Sequence, residues 1–144
     1  MAASRQLTLL LVDDNESVRR SVRSFLEHND FCVIEAVDGL NALELAADHV
    51  RRIDVVVTDY LMPRLNGLEL RERLEKTNPA LLVILFSSYA DEILNVHPEA
   101  IVFSKPFNPK LLILKIRELV EAAPCPRMQR STTLTANGTM EPRF

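Results

Sequence analysis

Six side chains able to do chemistry stand where apolar runs end: Asp13 and Asp14 after "LTLLLV", Asp59 after "IDVVVT", Ser87 and Ser88 after "LLVILF", and Lys105 after "AIVFS". Three carboxylates brought within several ångströms repel one another, and partial burial makes leaving them all ionised and unpaired worse still. A hard divalent cation compensates best. Carboxylates, a backbone carbonyl and waters match the oxygen-rich octahedral demands of Mg²⁺, with Mn²⁺ as the alternative ion. Lys105, a flexible point charge, can neutralise the remainder and later meet a phosphate oxygen. With charge so offset, one carboxylate can attack a phosphoryl group and form an acyl phosphate. Asp59, alone after the middle run, is the natural nucleophile, whereas Asp13 and Asp14 read as metal ligands or orienters of bound water. Each residue has a plainer reading when taken singly. An Asp after a strand forms turns, Asp14 or Asn15 can cap a helix, and a Lys before Pro is ordinarily a surface charge. The recurrence of such residues at successive run ends is what points to a site.

The elements that must carry them are five strand-like runs, at 7–12, 31–36, 53–58, 81–86 and 100–104. Several are almost continuously apolar, the pattern of parallel strands covered on both faces by helices. Helical spacing fills the gaps. A first helix at 16–28 has Val18, Val22, Phe25 and Leu26 as its apolar stripe, with Arg19, Arg20 and Arg23 largely outside it. A second, at 39–50, follows Asp38 as cap and repeats Leu40, Leu43, Ala46 and Ala47; a third, at 67–76, follows Asn66 and buries Leu68 and Leu74. Only a short helix at 90–96 fits before Pro98, and the last begins with Asn108 as cap and Pro109 at its first position. Strict alternation implies a parallel sheet with right-handed crossovers. In the order 2-1-3-4-5 the three aspartates converge where the order reverses, between the first and third strands.

The 144 residues allow one domain with a real core, and 47% hydrophobic with 26% charged residues is ordinary globular usage. Net charge is −3, with no Lys/Arg block to track a phosphate backbone, so direct nucleic-acid binding is not expected. The N-terminal apolar run is too short to span a membrane and wrongly flanked for a signal peptide, which implies a cytoplasmic protein without membrane contact. Cys32 and Cys125 form no metal or disulfide pattern and read as reduced thiols. His28, His49 and His97 are dispersed, the first two near helix C-termini where they suit the dipole. From Ala122 onward Pro, Thr and Ser replace apolar periodicity, and charge reverses: residues 1–121 hold 14 Lys/Arg against 19 Asp/Glu, residues 122–144 hold 3 against 1. The division expected is a domain at 5–121 and a mobile tail or linker at 122–144.

In order and spacing, "LLLVDDN", "VVVTDYLMPRLNGLEL", "VILFSS" and "FSKPF" resemble the signature segments of the response-regulator receiver domain of two-component signalling, a CheY-like superfamily. The resemblance covers about residues 5–121. It implies a flavodoxin-like (βα)5 fold, and a phosphoryl group taken from a sensor histidine kinase or a histidine phosphotransfer protein. By the same match Asp59 is the phosphoacceptor. Asp14 and Asp59 ligate Mg²⁺ through their side chains, the Leu61 carbonyl completes the protein's share, and Asp13 acts through metal-bound water. Ser87 hydrogen-bonds the phosphoryl group and Lys105 pairs with it. The match also implies a cis Lys105–Pro106 bond, with Met62, Pro63 and Gly67 in the loop after the acceptor and Gly67 suiting a tight turn.

Three departures qualify that picture. Val102 stands where many members carry a switching Tyr or Phe, so an aromatic rotamer switch is not expected. The stretch from Ser87 to Lys105 is short, which implies a reduced fourth helix and output through another face. Leu61 and Tyr89, at two positions that govern dephosphorylation, offer no acid or amide to orient water. The reading is therefore a regulator that catalyses only its own phosphorylation and dephosphorylation. Its rival is a module of the same fold that binds proteins without phosphorylation. A phosphoaspartate phosphatase of the haloacid-dehalogenase type needs an acid two residues after its nucleophile, and Asp13 and Asp59 are followed there by Asn15 and Leu61. An output protein or output domain is expected as a further partner, and the outer edge of "LLILKIREL" allows a dimer.

Overall fold

In the computed structural model, residues 6–49 and 52–122 are described. Cys125 and residues 123–144 of the expected tail lie outside them. The elements run β1 (Thr8–Val12), α1 (Glu16–His28), β2 (Cys32–Ala36), α2 (Gly39–His49), β3 (Val55–Asp59), α3 (Gly67–Thr77), β4 (Leu82–Ser87), α4 (Ala90–Val96), β5 (Ile101–Ser104) and α5 (Pro109–Ala122). All neighbouring strands pair in parallel, in the order β2-β1-β3-β4-β5. The parallel sheet is the one expected from the alternation of runs and helices, and the flavodoxin-like arrangement is the one the family resemblance implied. Two boundaries differ in a way that matters: Asp59 and Ser87 are the last residues of their strands rather than the first beyond them.

Why the runs are continuously apolar is visible in β3, where all five residues are buried. Alternate side chains of a strand point to opposite faces. Leu10, Val12, Val56 and Val83 join Ala42 and Ala46 of α2 and Leu70 and Leu74 of α3 in one core cluster. Leu9, Leu11, Val55 and Val57, which point the other way, are also buried. A second cluster gathers Leu85, Ile93 of α4 and Ala100, with Val102 half-buried against it.

Helices α1, α2 and α3 start where polar side chains can satisfy their first amides. The Asn15 side chain accepts from Val18 N–H (3.0 Å), and that of Asp38 from Asn41 N–H (2.8 Å). Asn66 and Glu69 form a reciprocal capping box at α3. Of the two candidates for the first cap, Asn15 takes the role and leaves Asp14 free of it.

Two helix faces are rotated from expectation. In α1, Arg19 is buried with Val22 and Leu26, while Val18 is 41% exposed. Positions 19, 22 and 26 lie on one stripe, and the guanidinium occupies it because Glu35 and a backbone carbonyl receive its donors. In α2 the buried face is Ala42 and Ala46, with Leu40 and Ala47 exposed. The two small residues face α3, with which α2 is in contact.

The chain divides after Pro109 into a unit that contains the whole sheet and a unit that begins at Lys110. Within α5, Leu112, Ile113 and Ile116 are buried, and Leu111 and Leu114 are exposed. No helix of the described residues is long and apolar enough to cross a membrane.

Candidate functional site

Register brings the acids together. Val12 faces Thr58 across the β1–β3 ladder, so the next residue of each strand, Asp13 and Asp59, leaves the sheet at one level. Asp14 follows on the same loop. One carboxylate oxygen from each of Asp13, Asp14 and Asp59 lies within 4.8 Å of the others, and among the described residues this is the only such group of potential metal ligands recorded. Asp13 and Asp59 are buried, whereas Asp14 is exposed.

Lys105 reaches in from beyond β5. Ser104 pairs with Ser87, and the Lys105 amide donates to the Ser87 carbonyl (3.0 Å), which aims the side chain back across the sheet edge. Its Nζ lies 2.7 Å from Asp59 Oδ1. The Lys105–Pro106 bond is cis, as the family resemblance implied. Ser87 ends the neighbouring strand one position past Phe86, the partner of Asp59. Its hydroxyl is buried and accepts from Tyr89 N–H (2.8 Å), so its own proton remains available to donate elsewhere.

Burial is the main reason the Asp13 carboxyl is held above its usual range. The charges of Asp59 and Asp14 push the same way, and the Asn15 amide and Lys105 pull against them. Three carboxylates against one ammonium leave a surplus of negative charge at a partly closed site. The donors are all oxygens, the set a hard cation prefers. Oxygens about 2.0–2.1 Å from an octahedral Mg²⁺ stand roughly 3–4 Å apart, close to the spread of these acids, with waters taking the remaining positions. The residues present therefore fit such an ion.

Of the side chains singled out in the sequence, the structure brings Asp13, Asp14, Asp59 and Lys105 together and sets Ser87 at the adjoining strand end. Leu61 lies two residues past Asp59 with its side chain 57% exposed, and Tyr89 is 48% exposed. The loop that carries Leu61 is tied elsewhere: Arg64, at φ 71°, pairs with the buried Asp38, and Leu65 lies against Gly39. The Asn41 amide, with Arg64 beside it, holds the Asp38 carboxyl below its ordinary range although burial opposes this.

One residue near the site was not anticipated, and a second makes a contact that was not. Arg19 donates to the Asp13 carbonyl (2.8 Å) and to Glu35 Oε1 (2.7 Å). Its helical spacing with Val22 and Leu26, and an acid within the apolar run "FCVIEA", were the available signals. Gly67 was read as a turn residue. It opens α3, as the 67–76 span implied, and does so in close contact with the Asp59 carbonyl, where a Cβ would lie only 2.7 Å from that oxygen.

Residues 9–117 match the family model described as the response regulator receiver domain. Among curated proteins, the chain is 34% identical over 122 residues to the "Sensor kinase CckA" of Brucella abortus, covering 82% of this chain and 13% of that one. It is 36% identical over 116 residues to the "Response regulator MprA" of a Mycobacterium species, covering 78% of this chain and 50% of that one. The chain thus spans half or less of the length of these relatives. Among solved structures, a response regulator receiver domain protein from Clostridium thermocellum superposes with a TM-score of 0.74 at 24% identity, over 80% of this chain and 94% of the other.

Proposed function

The chain belongs to the response regulator receiver family of two-component systems, and from that premise we propose that its acidic sheet edge is a Mg²⁺-dependent phosphoryl switch with Asp59 as the acceptor. The observation that carries this reading is the convergence of three carboxylates at the ends of two neighbouring strands, with the Lys105 ammonium 2.7 Å from Asp59.

The donor is the phosphohistidine of a sensor histidine kinase or histidine phosphotransfer protein. A carboxylate oxygen of Asp59 attacks phosphorus, the P–N bond breaks with its electron pair going to nitrogen, and the imidazole leaves neutral, its other ring nitrogen keeping its proton; the product is an acyl phosphate. Asp14, Asp59 and the Leu61 carbonyl would hold Mg²⁺, with Asp13 acting through water, and the ion would supply positive charge for the phosphoryl oxygens. Lys105 exchanges its carboxylate partner for a phosphoryl oxygen. Ser87 donates its hydroxyl proton to another. Mn²⁺ suits the same oxygen donors.

Switching follows from the link between Ser87 and α4. Tyr89, whose amide the Ser87 hydroxyl accepts, is the N-cap residue of that helix, and its own side chain caps nothing. A hydroxyl drawn toward the phosphoryl group alters this contact and biases the start of α4 between two arrangements. No aromatic rotamer is needed. Val102 lacks one, and the seven-residue α4 is short enough to shift as a unit.

The receiver extends over 5–121, with 122–144 as a tail or linker toward an output protein or domain, and it works in the cytoplasm. It acts as a regulator rather than as a turnover enzyme. The half-buried Val102 also supports a second reading, a protein-binding module that works without phosphorylation.

Incubation with Mg²⁺ and acetyl phosphate or beryllofluoride, followed by intact mass and spectral measurement, separates the two. The switch reading predicts an adduct in the native chain that is lost in Asp59→Asn. The absence of an Asp59-dependent adduct favours the binding module.

A further inference from the structure

Arginine is seldom buried unless its donors are matched. The Arg19 side chain is only 10% exposed, although it lies on the inner stripe of α1 with Val22 and Leu26. An aliphatic residue there would join that stripe at no cost in charge burial, and a buried ion pair is a weak source of stability compared with well-packed hydrophobic side chains. The position of the guanidinium explains what an aliphatic side chain could not do. One of its nitrogens donates to the Asp13 carbonyl (2.8 Å) and Nε donates to Glu35 Oε1 (2.7 Å). Glu35 is held in turn by Arg23, which also pairs with Glu27.

The Asp13 carbonyl belongs to the peptide that joins Asp13 to Asp14. On its other side, the Asp13 amide donates to the Ala36 carbonyl of β2 (3.2 Å), and its carboxylate accepts from Asn15 N–H (2.9 Å). The peptide between Asp13 and Asp14 is shared by both residues, so its orientation bears on the placement of both carboxylates. Asp14 is exposed, so its placement depends on that backbone.

We propose that Arg19 is a positioning residue for the cation site: by fixing the Asp13–Asp14 peptide against the Glu35 carboxylate of β2, it sets the spacing of the acids and hence the affinity for a divalent cation. The inference rests on the reading that these acids hold Mg²⁺. Arg19 itself touches neither the ion nor the phosphoryl group.

The test uses the full chain and MgCl₂, by titration calorimetry, on the native protein, Arg19→Met, Arg19→Lys and Leu26→Ala. A metal-free readout accompanies it: hydrogen exchange of the Asn15 amide in chelator, followed by NMR. Loss of groups that orient metal ligands typically weakens binding about 10- to 100-fold, so Arg19→Met is expected to weaken Mg²⁺ binding about tenfold and to speed Asn15 exchange. Arg19→Lys, which keeps one donor and the charge, falls between. Leu26→Ala creates a cavity under the same helix and lowers stability, but leaves Mg²⁺ affinity within about twofold of native, since the cost of a cavity is felt in packing rather than at the acids. Should Arg19→Met fail to fold, Arg19→Lys and the Asn15 exchange rate carry the comparison. Native-like affinity and exchange in the Arg19 variants, or an equal loss in Leu26→Ala, overturns the proposal while leaving the cation site standing. A native chain that binds no Mg²⁺ overturns the cation site itself, and this inference with it.

Discussion

Replacing Gly67 with alanine adds one methyl group where the sheet meets α3. The new Cβ would lie 2.7 Å from the Asp59 carbonyl oxygen, 2.8 Å from Leu85 Cδ2 and 3.0 Å from Tyr60 Cα. Two of these atoms are backbone, and Leu85 is fully buried, so no neighbour can swing aside. Overpacking of this kind typically costs about 1–3 kcal/mol, and the rigidity of the neighbours puts this case toward the upper end. Alanine's better helix propensity returns at most about 1 kcal/mol, less in a first turn. The net loss is therefore about 2 kcal/mol. For a domain of this size, that lowers Tm by roughly 6–10 °C. The second effect is local: relief of the clash moves the Asp59 backbone by a few tenths of an ångström and weakens Mg²⁺ binding. Thermal melts in chelator and a Mg²⁺ titration measure the two effects. A Gly67→Ala protein that melts within about 2 °C of native, or above it, would refute the reasoning, since propensity would then have outweighed the contact.

Asp13→Asn is expected to stabilise the metal-free protein at neutral pH. The folded-state pKa of Asp13 is raised above 3.8, so its favourable contribution exists below the unfolded value and is lost as pH rises through the folded one. The gain over native should appear in melts with chelator at about pH 7 and vanish near about pH 3; a gain that persists in acid contradicts it. Lys105→Met leaves Asp59 facing two other acids without its ammonium partner, which lowers metal-free stability by about 1–3 kcal/mol. Added Mg²⁺ should recover most of that loss in a thermal melt, and an equal deficit with and without the ion counts against the charge argument. Because neither Leu61 nor Tyr89 offers an acid or amide to orient an attacking water, the acetyl-phosphate-labelled protein should lose its phosphoryl group slowly; a half-life of only seconds by mass spectrometry contradicts this.

Much of the fold was legible because burial on both faces leaves strands such as "VVVT" without polar interruptions, and because Asn15, Asp38 and Asn66 mark helix starts with their side chains. The acids and Lys105 were legible only as a set: each alone has an ordinary structural explanation, but their recurrence at successive ends of buried strands does not. What escaped the sequence depends on the partner across a gap. The burial of Arg19 requires Glu35, sixteen residues away, to lie opposite it. The exposure of Val18 follows from that same rotation of α1. Gly67 resembled a turn glycine because closeness to the Asp59 carbonyl is a property of packed helices and strands. The pairing of Arg64 with Asp38 spans twenty-six residues, and local spacing carries no trace of it.

The parallel order of the sheet also governs when the site can exist. β1 leaves the ribosome well before its neighbour β3, which lies more than forty residues downstream, and Lys105 follows forty-six residues after Asp59. Such separations delay pairing, because closure entropy must be met before the contacts form. A partly made chain therefore holds its acids apart, and the full charge cluster is assembled only when the last strand docks. Completion of the sheet and arrival of the Lys105 ammonium beside Asp59 are, on this topology, the same event.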